Sequence, residues 1–223
     1  MIEVNEIFSE NDPKIALWAG DDIDTNDLAM MAQNIMDGEI HLASVAPEMV
    51  ELLWAYLEKN NVEIFTRYEF SPTPKNITND ISELAKKISY VCKHGANGVQ
   101  LFLKMNNFER VLDSLVNIRD DLFFEHKLSV CMDIKDVDVH NWDLIFKKLR
   151  DIKADSFSLT FNKDLGDKSD FIGRIYSMLK NWNFDGDLHF ILISDLMRID
   201  QILRLTESMQ PKICDKLRFF FEY

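Results

Sequence analysis

Glycine is scarce, with 7 in 223 residues. Loops that cradle phosphate groups use glycine for close backbone approach, and the chain holds neither G-x-G-x-x-G nor G-x-x-x-x-G-K. A nucleotide-phosphate loop of either kind is therefore excluded. Cysteine is scarcer still: Cys92, Cys131 and Cys214 lie far apart, in apolar surroundings and in no C-x-x-C spacing. They read as small buried hydrophobes rather than metal or redox groups. Positive charge is also in deficit. Twenty-five Lys and Arg stand against 38 Asp and Glu, a formal charge of −13, so nucleic acid and anionic membrane surfaces are repelled as partners. A local basic pocket could still admit a small anionic ligand. No apolar run reaches the length of a membrane span, and M-I-E-V-N-E-I-F lacks the basic start and long apolar stretch of a signal peptide. A cytoplasmic protein is expected. With 47% hydrophobic residues, residues 1–223 suffice for a single domain with one sizeable core.

What is present is organised around Ala154 to Lys163, A-D-S-F-S-L-T-F-N-K. Phe157, Leu159 and Phe161 alternate with Ser156, Ser158, Thr160 and Asn162, so a strand here has one apolar face and one small polar face. In a barrel strand, the apolar face lies under helices and the polar face lines the interior. A half-solvated antiparallel strand would alternate in the same way.

The flanking sequence repeats a strand-then-helix pattern. After a short leading helix (about residues 2–9), strands are expected at 14–20, 40–46, 62–70, 98–104, 128–134, 156–162, 188–193 and 217–223. Helices are expected at about 25–36, 48–59, 77–94, 107–118, 141–152, 170–181 and 197–209. Their ends carry capping signals: Asp24 or Thr25 before the first, Pro47 at the start of the second, and Gly38 and Gly95 after the first and third. Eight strands alternating with seven helices give an α/β fold, a (β/α)₈ TIM barrel lacking its last helix; a doubly wound open sheet is the alternative. Strand eight, L-R-F-F-F-E-Y, carries large apolar groups on both faces. It needs a cover other than a following helix, supplied by the leading segment or by a subunit contact, and a homo-oligomer is expected.

In such barrels, chemistry sits at the carboxyl ends of the strands. Those ends hold Asp21 and Asp22, Ser44, Arg67 and Glu69, Lys104, Asp133 and Lys135, Asn162 and Lys163, Ser194 and Asp195, and Glu222. An oxygen-ligand metal site from Asp21, Asp133, Asp195 and Glu222 is conceivable, yet none of them forms a motif, and neither a metal nor a cofactor is called for. No histidine is expected at a carboxyl end. His41 and His189 begin strands two and seven, which places both toward the opposite, stability face.

Several motifs in order carry a resemblance. V-A-P-E-M follows strand two; E-I-F-T-R-Y-E-F-S-P forms strand three; H-G-A-N-G-V precedes strand four; K-A-D-S-F-S-L-T-F-N-K forms strand six. Together, residues 14 to about 196 resemble a distant, degenerate deoxyribose-phosphate aldolase, a class I aldolase barrel that cleaves 2-deoxyribose 5-phosphate through a lysine Schiff base. The family patterns are V-x-P-x-[FY], a third strand ending in F-P, N-G-A-D-E-[VI]-D, and G-A-D-F-[IV]-K-T-S-T-G-[FK]. The departures fall on the chemistry. By the resemblance, Ser158 stands where the Schiff-base lysine is expected, Gln100 in place of the acidic residue of strand four, and Ile191 in place of the lysine of strand seven. Ser194-Asp195 replaces the phosphate-holding glycine pair. A serine hydroxyl cannot form an imine.

Two functions are consistent with this pattern. In one, the barrel has lost Schiff-base activity and binds a small metabolite or acts as an interaction protein. In the other, it is an active lyase or isomerase with a relocated catalytic lysine, Lys104, or an acidic metal site. Lys104 shares a strand face with Gly98, Gln100 and Phe102. A lysine in an enclosed mouth can act as nucleophile or base, whereas one that reaches solvent cannot use burial to lower its pKa. Lys104 and Asp133 are the candidate catalytic groups, and Ser44, Arg67, Asn162 and Lys163 the candidate substrate-binding groups.

Overall fold

A computed structural model describes residues 8, 12–72, 76–116, 119, 126–161, 168–191 and 196–223. Eight parallel strands close into a barrel in chain order: β1 Ile15–Trp18, β2 Leu42–Val45, β3 Glu63–Glu69, β4 Gly98–Phe102, β5 Lys127–Asp133, β6 Ser156–Thr160, β7 Asp187–Ile191 and β8 Leu217–Glu222. Closure comes from β8 pairing with β1, Phe220 opposite Ala16 and Glu222 opposite Trp18. Around the strands run α1 Thr25–Asp37, α2 Val50–Leu57, α3 Ile77–Lys93, α4 Phe108–Val116, α5 Trp142–Asp151, α6 Lys168–Lys180 and α7 Leu196–Met209. The open-sheet alternative is thereby excluded.

Local chemistry explains where these elements begin and end. Asp24 caps α1, its carboxylate accepting from the amides of Asn26 and Asp27 at 2.8 and 2.9 Å, and Gly38 terminates the helix. Pro47 opens a single 3₁₀ turn that leads into α2. In α3, Ile81, Leu84, Ile88, Val91 and Cys92 are buried, spaced three and four apart so that one stripe faces the sheet.

The alternation in β6 takes the orientation a barrel requires. Phe157 packs outward against Trp142 and Phe146 of α5, at ring-centroid distances of 6.3 and 6.2 Å. Phe161 packs on Phe171 of α6 at 5.2 Å. Ser156 and Ser158 are buried on the other face. The main core lies between sheet and helices, while a smaller one of Ala16, Trp18, Leu42, Phe65, Cys131, Ile191 and Phe220 fills the barrel itself.

The last strand is covered from within the chain. Phe220 points inward, whereas Phe219 and Phe221 meet Phe8, whose ring lies 5.6 and 6.3 Å from theirs. All three strand phenylalanines are buried, and Asn34 of α1 donates to the Tyr223 hydroxyl at 3.3 Å. The outer face of β8 therefore needs no subunit contact to stay dry, which removes that reason for expecting one. Apart from Phe8, the expected leading helix lies outside the described residues.

Candidate functional site

The residues that the aldolase resemblance puts in catalytic positions all lie in the barrel interior and are fully buried: Ser158, Gln100 and Ile191. Because the strands tilt and stagger, inward side chains of neighbouring strands meet in layers. Here, the central layer is polar on one side and apolar on the other. The hydroxyls of Ser129 on β5 and Ser158 on β6 are 2.7 Å apart, and Ser158 Oγ lies 3.3 Å from Nδ1 of His189 on β7. Across the barrel, Ser44 on β2 donates to Gln100 Oε1 at 2.6 Å. Gln100 Nε2 is buried without a partner among the described residues. Ile191 joins Trp18, Cys131 and Phe220 in the apolar part.

The layer is built to stay uncharged. Burial, then the nearby charges of Arg218 and Lys127, lowers His189 to a pKa of about 3, so its ring is neutral at physiological pH. Burial likewise raises the Cys131 thiol to about 12, although hydrogen bonds from Ser158 and Ser129 pull the other way. This thiol is inert. Cys92 is buried too, and Cys214, expected to be buried, is instead half-buried. No lysine is buried among the described residues.

Above this layer, at the carboxyl end, the described residues plug the barrel. Trp18 meets Phe102 and Phe220 edge-on at 5.9 and 6.3 Å. Arg67 covers the indole with its guanidinium carbon 4.4 Å from the ring centroid, and donates to Asp21 at 2.6 Å.

The candidate residues therefore part company. Ser44 is spent on Gln100 in the interior rather than presented at the mouth. Arg67 is engaged by Trp18 and Asp21, with its Nη1 buried and without a hydrogen-bond partner among the described residues. Lys104 stands exposed just beyond β4, next to Leu103, whose amide donates to the Cys131 carbonyl of β5 at 2.9 Å. Asp133 ends β5, and its carboxylate caps the following turn by accepting from the Lys135 amide at 2.8 Å. Asn162 and Lys163 lie outside the described residues, as do Ser194 and Asp195. Of the acidic set considered for a metal, Asp21 pairs with Arg67 and Glu222 is exposed. Among the described residues, no group of three His, Cys, Asp or Glu side chains is arranged to hold an ion.

His189 lies toward the amino-terminal face, as the sequence suggests, but it does not begin its strand. Since β7 starts at Asp187, His189 sits in mid-strand and faces the interior, not at the strand's beginning. The signal was the alternation of Asp187, His189 and Ile191 with Leu188 and Phe190. The cavity that reaches His189 opens at the amino-terminal mouth, opposite the Trp18 plug; its volume is about 370 Å³.

No protein-family model and no curated protein matches the sequence. Solved structures do match. A deoxyribose phosphate aldolase from Aeropyrum pernix, described as having a unique tetrameric structure, superposes with a TM-score of 0.69 at 12% identity, covering 97% of this chain and 89% of that one. QR15, described as an aldolase, gives 0.65 at 11% identity, over 96% and 92% of the two chains. Dihydrodipicolinate synthase from Agrobacterium tumefaciens gives 0.60 at 8%, over 95% and 70%. At such identities the likeness is one of fold: the chain is a (β/α)₈ barrel similar to that of the deoxyribose-phosphate aldolases.

Proposed function

We propose that this barrel has lost Schiff-base aldolase chemistry and serves as a small-molecule-binding protein. The reading rests on one observation: Ser158, which the sequence resemblance aligns with the imine lysine, is fully buried in a chain of neutral hydrogen-bonding groups with Ser129 and His189. An imine needs an amine nucleophile within reach of a carbonyl. A buried hydroxyl already engaged on two sides offers neither the amine nor the access.

The second reading, a lyase with Lys104 as relocated nucleophile and Asp133 beside it, draws on their places at the carboxyl ends of adjacent strands. Against it, Lys104 is exposed rather than enclosed in a mouth.

One experiment separates them. After incubation with 2-deoxyribose 5-phosphate and sodium borohydride, the intact mass is expected to stay unchanged. A reduced adduct mapped to Lys104 would replace the first reading by the second. We further propose a homo-oligomeric, cytoplasmic protein that engages neither nucleic acid nor membrane. The tetrameric Aeropyrum pernix relative and the exposed Met30, Trp54 and Tyr90 on α1, α2 and α3 support self-association. Among the described residues, no helix is long and apolar enough to cross a membrane.

A further inference from the structure

We propose that the amino-terminal mouth of the barrel is a binding site for a small, uncharged, polyhydroxylated molecule, a sugar or sugar alcohol. This end is where barrels ordinarily keep residues for stability rather than for ligands. It is nonetheless the end that holds the cavity, whose volume of about 370 Å³ falls in the range of small-molecule sites, roughly 300–1,000 Å³.

The first argument is an unsatisfied group. Ser156, the first residue of β6, lines the cavity and is only 3% exposed, and its hydroxyl has no hydrogen-bond partner among the described residues. Leaving such a hydroxyl unpaired is unfavourable, and a ligand hydroxyl would relieve it. His189 lines the same cavity more deeply. Its Nδ1 faces Ser158, so Nε2 is the ring atom left for a ligand. Phe65, edge-on to His189 at 6.3 Å, adds an apolar wall suited to the C–H face of a sugar.

The second argument is charge. Three carboxylates line the cavity, Glu63, Asp155 and Asp187, and three cations answer them. Lys127 bonds Glu63, with nitrogen and oxygen 2.5 Å apart, and Arg119 bonds Asp155 at 2.9 Å. Arg218 acts on Asp187 from the neighbouring strand, while one of its terminal nitrogens is held by the carbonyls of Asp215 and Leu217. A phosphate ester would bring its charge up against the carboxylates, and an organic cation would meet the basic groups. A polyol does neither: its hydroxyls donate to Asp187 and accept from Arg218, using the mixed sites as they stand.

The test is a titration of the full-length, isotopically labelled protein followed by NMR. The probes are D-ribose, ribitol, D-glucose and glycerol at millimolar concentration, with ribose 5-phosphate and glycine as charged and zwitterionic comparators. At least one uncharged probe is expected to shift the His189 ring and the Ser156 and Asp187 amides saturably, and to leave the Trp18 indole at the opposite mouth unmoved. Ser156→Ala is expected to weaken that binding about tenfold, a loss of about 1.4 kcal/mol, while the free protein melts at the same temperature or higher. No shift with any uncharged probe overturns the proposal. So does tighter binding of ribose 5-phosphate or glycine, a shift centred on Trp18, or a Ser156→Ala variant that binds like wild type or melts lower.

Discussion

Arg67 on β3 lies over the indole of Trp18 on β1, 4.4 Å from the ring centroid, and the same guanidinium holds Asp21 at 2.6 Å. The two contacts differ in worth. Asp21 is 86% exposed, and an ion pair open to water contributes at most about 1 kcal/mol. Trp18 is 7% exposed and wedged between Phe102 and Phe220. Trp18→Ala is expected to cost about 3–5 kcal/mol and Asp21→Asn less than about 1, both read by urea denaturation. Equal losses would show that Asp21, not the ring, organises the carboxyl-terminal plug.

His189 makes stability depend on pH. Its folded pKa, about 3, lies below the ordinary histidine value of 6.5, so between those values the unfolded chain binds the extra proton. Stability must therefore fall as pH drops from about 6.5 toward 3, at up to about 1.4 kcal/mol per pH unit. His189→Gln keeps a polar side chain and removes the titration. The stability difference between wild type and variant is expected to be flat above about pH 7 and to shrink steadily below it. Asp187, whose pKa burial raises, works in the opposite direction in both proteins and cancels in the difference. Parallel curves from about pH 7 to 4 would show that the ring is not neutral and enclosed in the folded state.

These two sites also mark how far the sequence could be read. Alternation in A-D-S-F-S-L-T-F, with the capping signals at Asp24, Gly38 and Gly95, was enough to lay out the strands and helices and to turn Ser158 inward, because strand and helix periods are local properties. The partners were not legible. Ser44 with Gln100 and Arg67 with Trp18 are joined by strand stagger and Ser158 with His189 by strand register, over separations of 56, 49 and 31 residues in the chain. Candidate residues chosen only for lying near strand ends therefore included side chains, Ser44 and Arg67, that the fold has already used. The amino-terminal cavity was missed for a related reason. Its wall is assembled from the first residues of several strands, none of them distinctive alone.

Phe8 is 4% exposed against the outer face of β8. Phe8→Ala is expected to destabilise the protein by about 3–5 kcal/mol, measured by thermal or urea unfolding, without changing the sedimentation coefficient of the folded form. A variant that changes its association state would restore the outer face of β8 as a subunit contact.

Gly98 opens β4 inside the barrel, and its lack of a side chain is what makes room for Phe65. A Cβ at position 98 would lie 2.6 Å from the Phe65 ring and 3.0 Å from Lys127 Cβ, inside van der Waals contact. Phe65 is 1% exposed in the interior cluster and borders the amino-terminal cavity, so Gly98→Ala must displace the ring toward that cavity or shift the strand. Overpacking of this kind costs about 1–3 kcal/mol. Phe65→Leu alone is also expected to destabilise, since it removes buried ring surface. The double variant is the informative one. If the clash is the cause, Gly98→Ala and Phe65→Leu together should cost at least about 1 kcal/mol less than the sum of the two single losses, the coupling expected of residues in direct contact. Strict additivity in a urea-denaturation cycle would mean that Gly98 is required for its backbone alone, and that Phe65 does not set the width of the barrel at this layer.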